Sequence, residues 1–262
     1  MTAFAATEAH AGFTLRRNGA AATLALDREQ AGNAIDRATG TALDAVLGRL
    51  GDDVSLLALV VTASGDRFFC TGGDLKDYRA LDTVAAGRDT SLLMQRVLTR
   101  LETIAAITIA AVNGTALGGG LEVALACDLR IAEAHVELSL PQARLGVIPG
   151  WGGAHRLQRV VGRARAIRIL ATAASLGAAE AERIGLVDTV VARGGARPAA
   201  EQLAAAIAAN APLAVRSVKD VLDLGGDADA QAELFGRLWD TRDHREAERA
   251  YFERRRPVWE GR

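Results

Sequence analysis

With 262 residues, half of them hydrophobic, the chain has room for one large domain or a domain with an appendage, and for a sizeable core. Its 31 Lys and Arg against 32 Asp and Glu leave a net charge of −1, which excludes the strongly basic balance that nucleic acid or an anionic membrane surface would ask for. Cys70 and Cys127 are too few for a disulfide framework or a Cys-rich zinc site, and His10, His135, His155 and His244 form no HExxH pattern, so no metal is expected. With no signal-like N-terminus and no 18-residue apolar run, the expected location is the cytoplasm.

Residues 1–11 are Ala-rich and patternless and read as a loose leader. Phe13 to Arg17 and Ala21 to Asp27 read as two strands joined at Asn18-Gly19, a hairpin signal. Asp36 can cap a helix running to about Leu50, and Leu56 to Thr62 is an apolar run suited to a buried strand. Phe68 to Asp77 carries a first glycine site, Thr71-Gly-Gly73. Residues 79–90 read as a polar loop or lid, and Ser91 to Thr103 as a helix with Leu92, Leu93, Val97, Leu98 and Leu101 on one side.

The β-branched run Ile107 to Val112 is a further strand, followed by the turn signal Asn113-Gly114, by Gly118-Gly119-Gly120, and by a helix from Leu121 to Ala126. Leu129 to Ala132 and Val136 to Leu140 read as short strands and Pro141 to Gly153 as a loop. Helices are then predicted over about 152–161, 163–173, 178–184, 197–210, 212–224, 228–240 and 243–255, with one strand at Val187 to Val191. Strands alternating with helices make the class α/β, with a core over 12–195 and a helical region over 196–262.

The two glycine sites share one arrangement: an apolar strand, then glycine, then a helix-competent segment. Helix-start N–H groups have no partner inside the helix, and the dipole adds partial positive charge there. One N–H from each loop could grip one carbonyl oxygen that becomes negative during a reaction, and removing such a donor typically raises a barrier by roughly 3–4 kcal/mol. Glu122, just beyond the second site, could carry a proton. The competing reading is that Gly118 to Gly120 only let the helix pack closely on its strand. A phosphate cradle is disfavoured, because neither GxxxxGK[ST] nor GxGxxG with a following acid is present. Cys70, beside the first loop, could be a nucleophile, but with no histidine near it in sequence a buried inert thiol is the better reading.

Three segments, FCTGGDLKDY at 69–78, AAVNGTALGGGLEVALACDLRIA at 110–132 and LPQARLGVIPGWGGAHRLQRVVG at 140–162, resemble the crotonase superfamily of enoyl-CoA hydratases and isomerases. The resemblance extends from Leu26–Asn33 to the Phe252–Trp259 tail. It implies a spiral of ββα units with a helical C-terminal region that forms part of the acyl pocket and packs between subunits of a homotrimer or dimer of trimers. It implies an acyl-CoA substrate and no separate cofactor. The N–H groups of Gly73 and Gly119 would form the oxyanion hole, and Glu122 matches the first catalytic glutamate. Arg28, Ala31, Gly72, Asp74, Leu75 and Lys76 match positions around CoA, while Trp151 and Trp239 could line the acyl pocket or simply pack. The second catalytic glutamate of the hydratases falls on Gln142, which cannot act as a base at neutral pH. Hydration, a one-base double-bond shift, decarboxylation of a malonyl-type thioester and a weakly active acyl-CoA-binding protein therefore all stay open. The Trp151-Gly-Gly153 segment also resembles the ethylmalonyl-CoA decarboxylase branch, and Arg144 could pair with a substrate carboxylate or with a structural acid.

Overall fold

A computed structural model describes residues 7–262. Residues 1–6 of the expected leader lie outside the described residues, and the rest of it is not loose. β1 (Thr7–His10) pairs antiparallel with β2 (Phe13–Asn18), and the His10 ring stacks on Phe13 at 4.8 Å. β1 is an edge strand held by backbone pairing, so it needs no apolar pattern of its own. The Asn18-Gly19 hairpin leads into β3 (Ala21–Leu26) as expected.

α1 (Arg37–Gly51) starts at Asp36, whose carboxylate accepts from the Thr39 N–H, and it buries Leu43, Val46, Leu47 and Leu50. β4 (Ala58–Ala63) is buried along its whole length. After it come β5 (Phe68–Cys70), the short α2 (Leu75–Tyr78), α3 (Val84–Thr103), β6 (Ile107–Val112), β7 (Thr115–Leu117), α4 (Gly119–Leu125), β8 (Leu129–Glu133) and β9 (Glu137–Ser139). A 3-10 turn over Pro141–Leu145 and a loop lead to α5 (Gly153–Val161) and α6 (Arg163–Thr172). The chain continues through β10 (Ser175–Gly177), α7 (Ala178–Arg183), β11 (Thr189–Val191), α8 (Ala196–Ala208), α9 (Pro212–Arg216), α10 (Val218–Asp223), α11 (Ala228–Trp239) and α12 (Arg242–Glu253).

The strands form two sheets, one ordered β1-β2-β3-β4-β6-β8-β11 and one ordered β10-β9-β7-β5. β4, β6 and β8 lie parallel in the large sheet, and the strands that follow them, β5, β7 and β9, lie parallel in the small one. Each ββ turn of the chain therefore adds one strand to each sheet, and a helix or 3-10 turn closes it. This is the spiral implied by the sequence. Leu59, Val61, Phe69, Val112, Leu121 and Leu138 are among the buried side chains of the main core. α8 covers the other face of the large sheet, laying Ala196, Ala200 and Ala204 on Ala58, Val60, Ile109 and Ala111. Alanines four apart give a smooth helix face that can approach a sheet closely. No helix among the described residues is long and apolar enough to cross a membrane.

Four further sequence expectations change. Residues 84–90, read as loop, are the first two turns of α3, started by Thr83, whose hydroxyl accepts from the Ala86 N–H. Val84 is 91 % exposed, so this stretch shows no buried stripe to mark it as helix. β7 and β10 were not foreseen, and the helix expected over 212–224 is broken at Ser217 into α9 and α10. Finally, α4 begins at Gly119 rather than Leu121, so only Gly118, at φ 53° and ψ −120°, belongs to the turn.

Candidate active site

β5 and β7 are parallel neighbours with Phe68 opposite Thr115 and Cys70 opposite Ala116, and both run into glycine at the same end. The two glycine loops are thereby stacked. A Cβ on Gly72, at φ 94°, would stand 2.8 Å from the Gly119 nitrogen. In the first loop, Gly73 forms a parallel bridge with Ile35, in which Ile35 N–H donates to the Gly72 carbonyl and Asp74 N–H donates to the Ile35 carbonyl. That pattern leaves the N–H of Gly73 itself directed to the opposite side. The N–H of Gly119 lies in the first turn of α4, where no intrahelical acceptor exists. Gly73 and Gly119 both line one cavity of about 320 Å³.

The aromatic rings of the cavity rest on these glycines. A Cβ on Gly73 would lie 2.6 Å from Cζ of Tyr78, and one on Gly119 would lie 2.5 Å from Cη2 of the buried Trp151. Gly120 serves the packing role weighed for the whole triplet. Its Cβ would overlap the Cys70 carbonyl oxygen and lie 2.5 Å from the carbonyl carbon, so this glycine sets how closely α4 approaches β5.

Glu122 projects from the first turn of α4 into the same cavity and is 1 % exposed. Its Oε1 accepts from the N–H groups of Trp151 and Gly153, both at 2.8 Å, and its Oε2 accepts from Nε2 of Gln142 at 3.1 Å. Burial pushes the Glu122 carboxyl above the usual carboxylate range, opposed by these three donors and by the Arg156 charge. Gln142, carried by the Pro141–Leu145 turn, is 8 % exposed, and its Oε1 has no hydrogen-bond partner.

The expected substrate-binding residues divide into groups. Leu75 and Trp151 line the cavity. Arg28 sits behind the first loop with its guanidinium committed to the Ala34 carbonyl, Asp36 and Asp74, the last two at 2.9 Å each. Asp74 also caps α2 by accepting from Lys76 N–H, and the Arg28 guanidinium holds its carboxyl below the usual range. Ala31 and Lys76 are exposed. Gly32 abuts Thr71, so the loop carrying Ala31 lies next to the first glycine loop. Trp239 does not line this cavity within one chain: its ring lies 4.3 Å from that of His244 in a different hollow, beside Phe235 and Trp259. No residue beyond 195 lines the cavity within one chain.

Cys70 is fully buried, and burial pushes its thiol up to about 12, which leaves it protonated and inert. Tyr78 lies in one of the quoted motifs but was assigned no role; burial pushes its phenol up to about 12 as well. A larger hollow of about 580 Å³, under α9 and α10, holds no comparable chemistry. Its charged side chains are already paired, Lys219 with Asp128 at 2.7 Å, Arg130 with Asp188 at 3.3 Å, and Arg156 and Arg159 with Glu102 at 2.8 and 2.7 Å.

Comparison with known proteins agrees with this fold. The family model described as enoyl-CoA hydratase/isomerase matches residues 16–262. The short-chain-enoyl-CoA hydratase of Clostridium acetobutylicum is 36% identical over 248 residues, covering 92% of this chain and 95% of that protein. The crotonyl-CoA hydratase of Syntrophomonas wolfei is 35% identical, covering 95% of this chain and 97% of that protein. The structure of Pseudomonas aeruginosa DspI superposes with a TM-score of 0.90 at 35% identity, covering 97% of this chain and 98% of that one.

Proposed function

The chain belongs to the enoyl-CoA hydratase/isomerase family, and from that premise we propose that it hydrates 2-enoyl-CoA thioesters reversibly, with Glu122 as its single proton-carrying carboxylate. The observation that carries this reading is the cavity shared by Glu122, Gln142 and the Gly73 and Gly119 donor loops. The thioester carbonyl accepts from the two glycine N–H groups, so the charge that reaches this oxygen in the enolate is held as it forms. Glu122 Oε1 is occupied by two backbone donors, so protons exchange through Oε2. Gln142 spends its Nε2 on that oxygen and keeps Oε1 as a buried acceptor, which suits an O–H donor: a water on the way in, or the β-hydroxyl of the product. Water gives one proton to Glu122 Oε2 as its oxygen bonds to Cβ, and the same proton returns from Glu122 to Cα.

Coenzyme A enters only as part of the substrate, with Lys76 and the loops carrying Ala31 and Asp74 as its contacts at the mouth. Decarboxylation of a malonyl-type thioester is the weaker reading, because the lining carries the Glu122 carboxylate and no Lys or Arg, and Arg144 is not part of it. Assembly as a trimer or dimer of trimers is supported by Phe235, Trp239, Tyr251 and Phe252, which are 62%, 56%, 79% and 81% exposed on the last two helices. Mass analysis of the products from 2-enoyl, 3-enoyl and malonyl-type CoA thioesters tests the reaction. Addition of one water to the 2-enoyl substrate is expected. Loss of CO₂ from the malonyl-type substrate, or a double-bond shift alone, would replace the hydratase reading.

A further inference from the structure

We propose that Arg156 and Glu102 are positioning residues for Glu122: together they brace the backbone loop whose two N–H groups hold the Glu122 carboxylate. The inference rests on the reading of Glu122 as the proton carrier. It starts from how that carboxylate is held. The two donors to Oε1, the N–H groups of Trp151 and Gly153, flank Gly152, which has φ 87°. A left-handed residue between two inward-facing N–H groups makes a concave backbone site for an anion. Gly153 opens α5, so this turn is anchored on that side, whereas Gly150 and Trp151 precede the helix and have no sheet partner.

The outer side of this turn is tied to α3. The Gly150 carbonyl accepts from Ser91 Oγ at 2.5 Å and from Gln95 Nε2 at 3.2 Å. The Trp151 carbonyl accepts from Arg156 Nη1 at 2.8 Å, while Nε and Nη2 of the same guanidinium reach Glu102 Oε2 at 2.9 and 2.8 Å. Ser91, Gln95 and Glu102 are spaced by 4 and 7 residues and so share one helix face. Arg156 is 6 % exposed, and a Cβ at Gly152 would stand 2.7 Å from its Nη1, so guanidinium and turn fit against each other. The planar fork is what lets one side chain satisfy a carboxylate and a carbonyl at once, which a lysine ammonium cannot reproduce. The charged groups gathered here are Glu102, Arg156 and Arg159 on the outer side and Glu122 on the inner side.

The test measures kcat and KM with a short 2-enoyl-CoA for Arg156→Met and Arg156→Lys, each in the wild-type and Glu122→Gln backgrounds, with hydrogen exchange followed over residues 148–156. Misplacing a catalytic group by about 1 Å typically lowers rate up to about 100-fold, so Arg156→Met is expected to lower kcat by roughly 10- to 100-fold with KM nearly unchanged. Arg156→Lys should recover only part of that loss, and both variants should speed exchange at the Trp151 and Gly153 amides. In the Glu122→Gln background neither variant should lower kcat further, because the brace acts through Glu122. An equal loss in both backgrounds, an effect on KM alone, or an unchanged kcat overturns the proposal. If Glu122→Gln alone leaves kcat intact, the reading of Glu122 fails instead. Should Arg156→Met not fold, Glu102→Gln, at a side chain 24% exposed, is expected to give a smaller loss with the same dependence on Glu122, and an unchanged kcat there also overturns the brace.

Discussion

Gly120→Ala probes how the spacing of the donor loops is set. An added Cβ overlaps the Cys70 carbonyl oxygen and stands 2.5 Å from its carbon and 2.8 Å from the Cys70 Cβ. Unstrained carbon contacts lie near 3.5 Å, so α4 and β5 must separate by roughly 1 Å. Two of the three atoms are backbone, so no rotamer change relieves the clash. Overpacking of this kind costs about 1–3 kcal/mol, which lowers Tm by roughly 3–10 °C in a chain of this size. The larger effect falls on rate. α4 carries both the Gly119 donor and Glu122, and β5 leads to Gly73, so the shift misaligns all three and turnover is expected to drop by about 100-fold. The assay pairs a melting curve with hydration of a short 2-enoyl-CoA. Gly51→Ala serves as control, since its Cβ meets nothing within 4 Å at the end of α1, away from the last two helices, and it should melt no lower than wild type. If Gly120→Ala melts and turns over like wild type, the close approach at Cys70 does not set the donor spacing.

Four further outcomes follow from the same geometry. Burial raises the Glu122 carboxyl, and Glu122 must be ionised to accept a proton, so the acid limb of kcat/KM should lie above the ordinary carboxylate range; a limb within that range contradicts the assignment. A raised folded-state value means stability contributed by this group is present at low pH and lost as pH rises through that value, so the Tm of Glu122→Gln should gain on wild type between the ordinary carboxylate range and neutrality; a gap that narrows would reverse the sign. Gln142→Glu sets a second carboxylate where an amide nitrogen now lies 3.1 Å from Glu122 Oε2, which should raise hydration and weaken binding of malonyl-type thioesters; assaying both activities side by side would expose the error if hydration fell. Cys70 and Cys127, both pushed up to about 12 by burial, should resist iodoacetamide in the native protein and react once it is unfolded, and fast native labelling of Cys70 would reopen a thiol role.

The elements of the site were legible in the sequence where local chemistry and order along the chain sufficed. The apolar runs before the two glycine sites, the Asp36 cap and the acid at 122 are local signals, and the ββα spiral was implied by the resemblance to the crotonase superfamily. What was missed depends on partners distant in sequence. β7 is three residues long and exists as a strand because β5 and β9 flank it. Arg156 meets Glu102 across 54 positions, and nothing in HRLQRVVG distinguishes it from a solvated arginine. The turn that holds Glu122 is formed by backbone N–H groups, which no side-chain pattern announces. For Trp239 the sequence left pocket lining and packing both open, and within one chain its nearest aromatic partners are His244 and Phe235.

The central claim is that one carboxylate moves the proton in a site that grips the thioester independently of it. Turnover of a short 2-enoyl-CoA and calorimetric affinity for a saturated acyl-CoA, both measured on wild type and Glu122→Gln, test it most directly. A turnover loss of roughly 10²–10⁴-fold with affinity held within a few-fold is the predicted result. Near-normal turnover by Glu122→Gln would contradict it and assign the proton to another group.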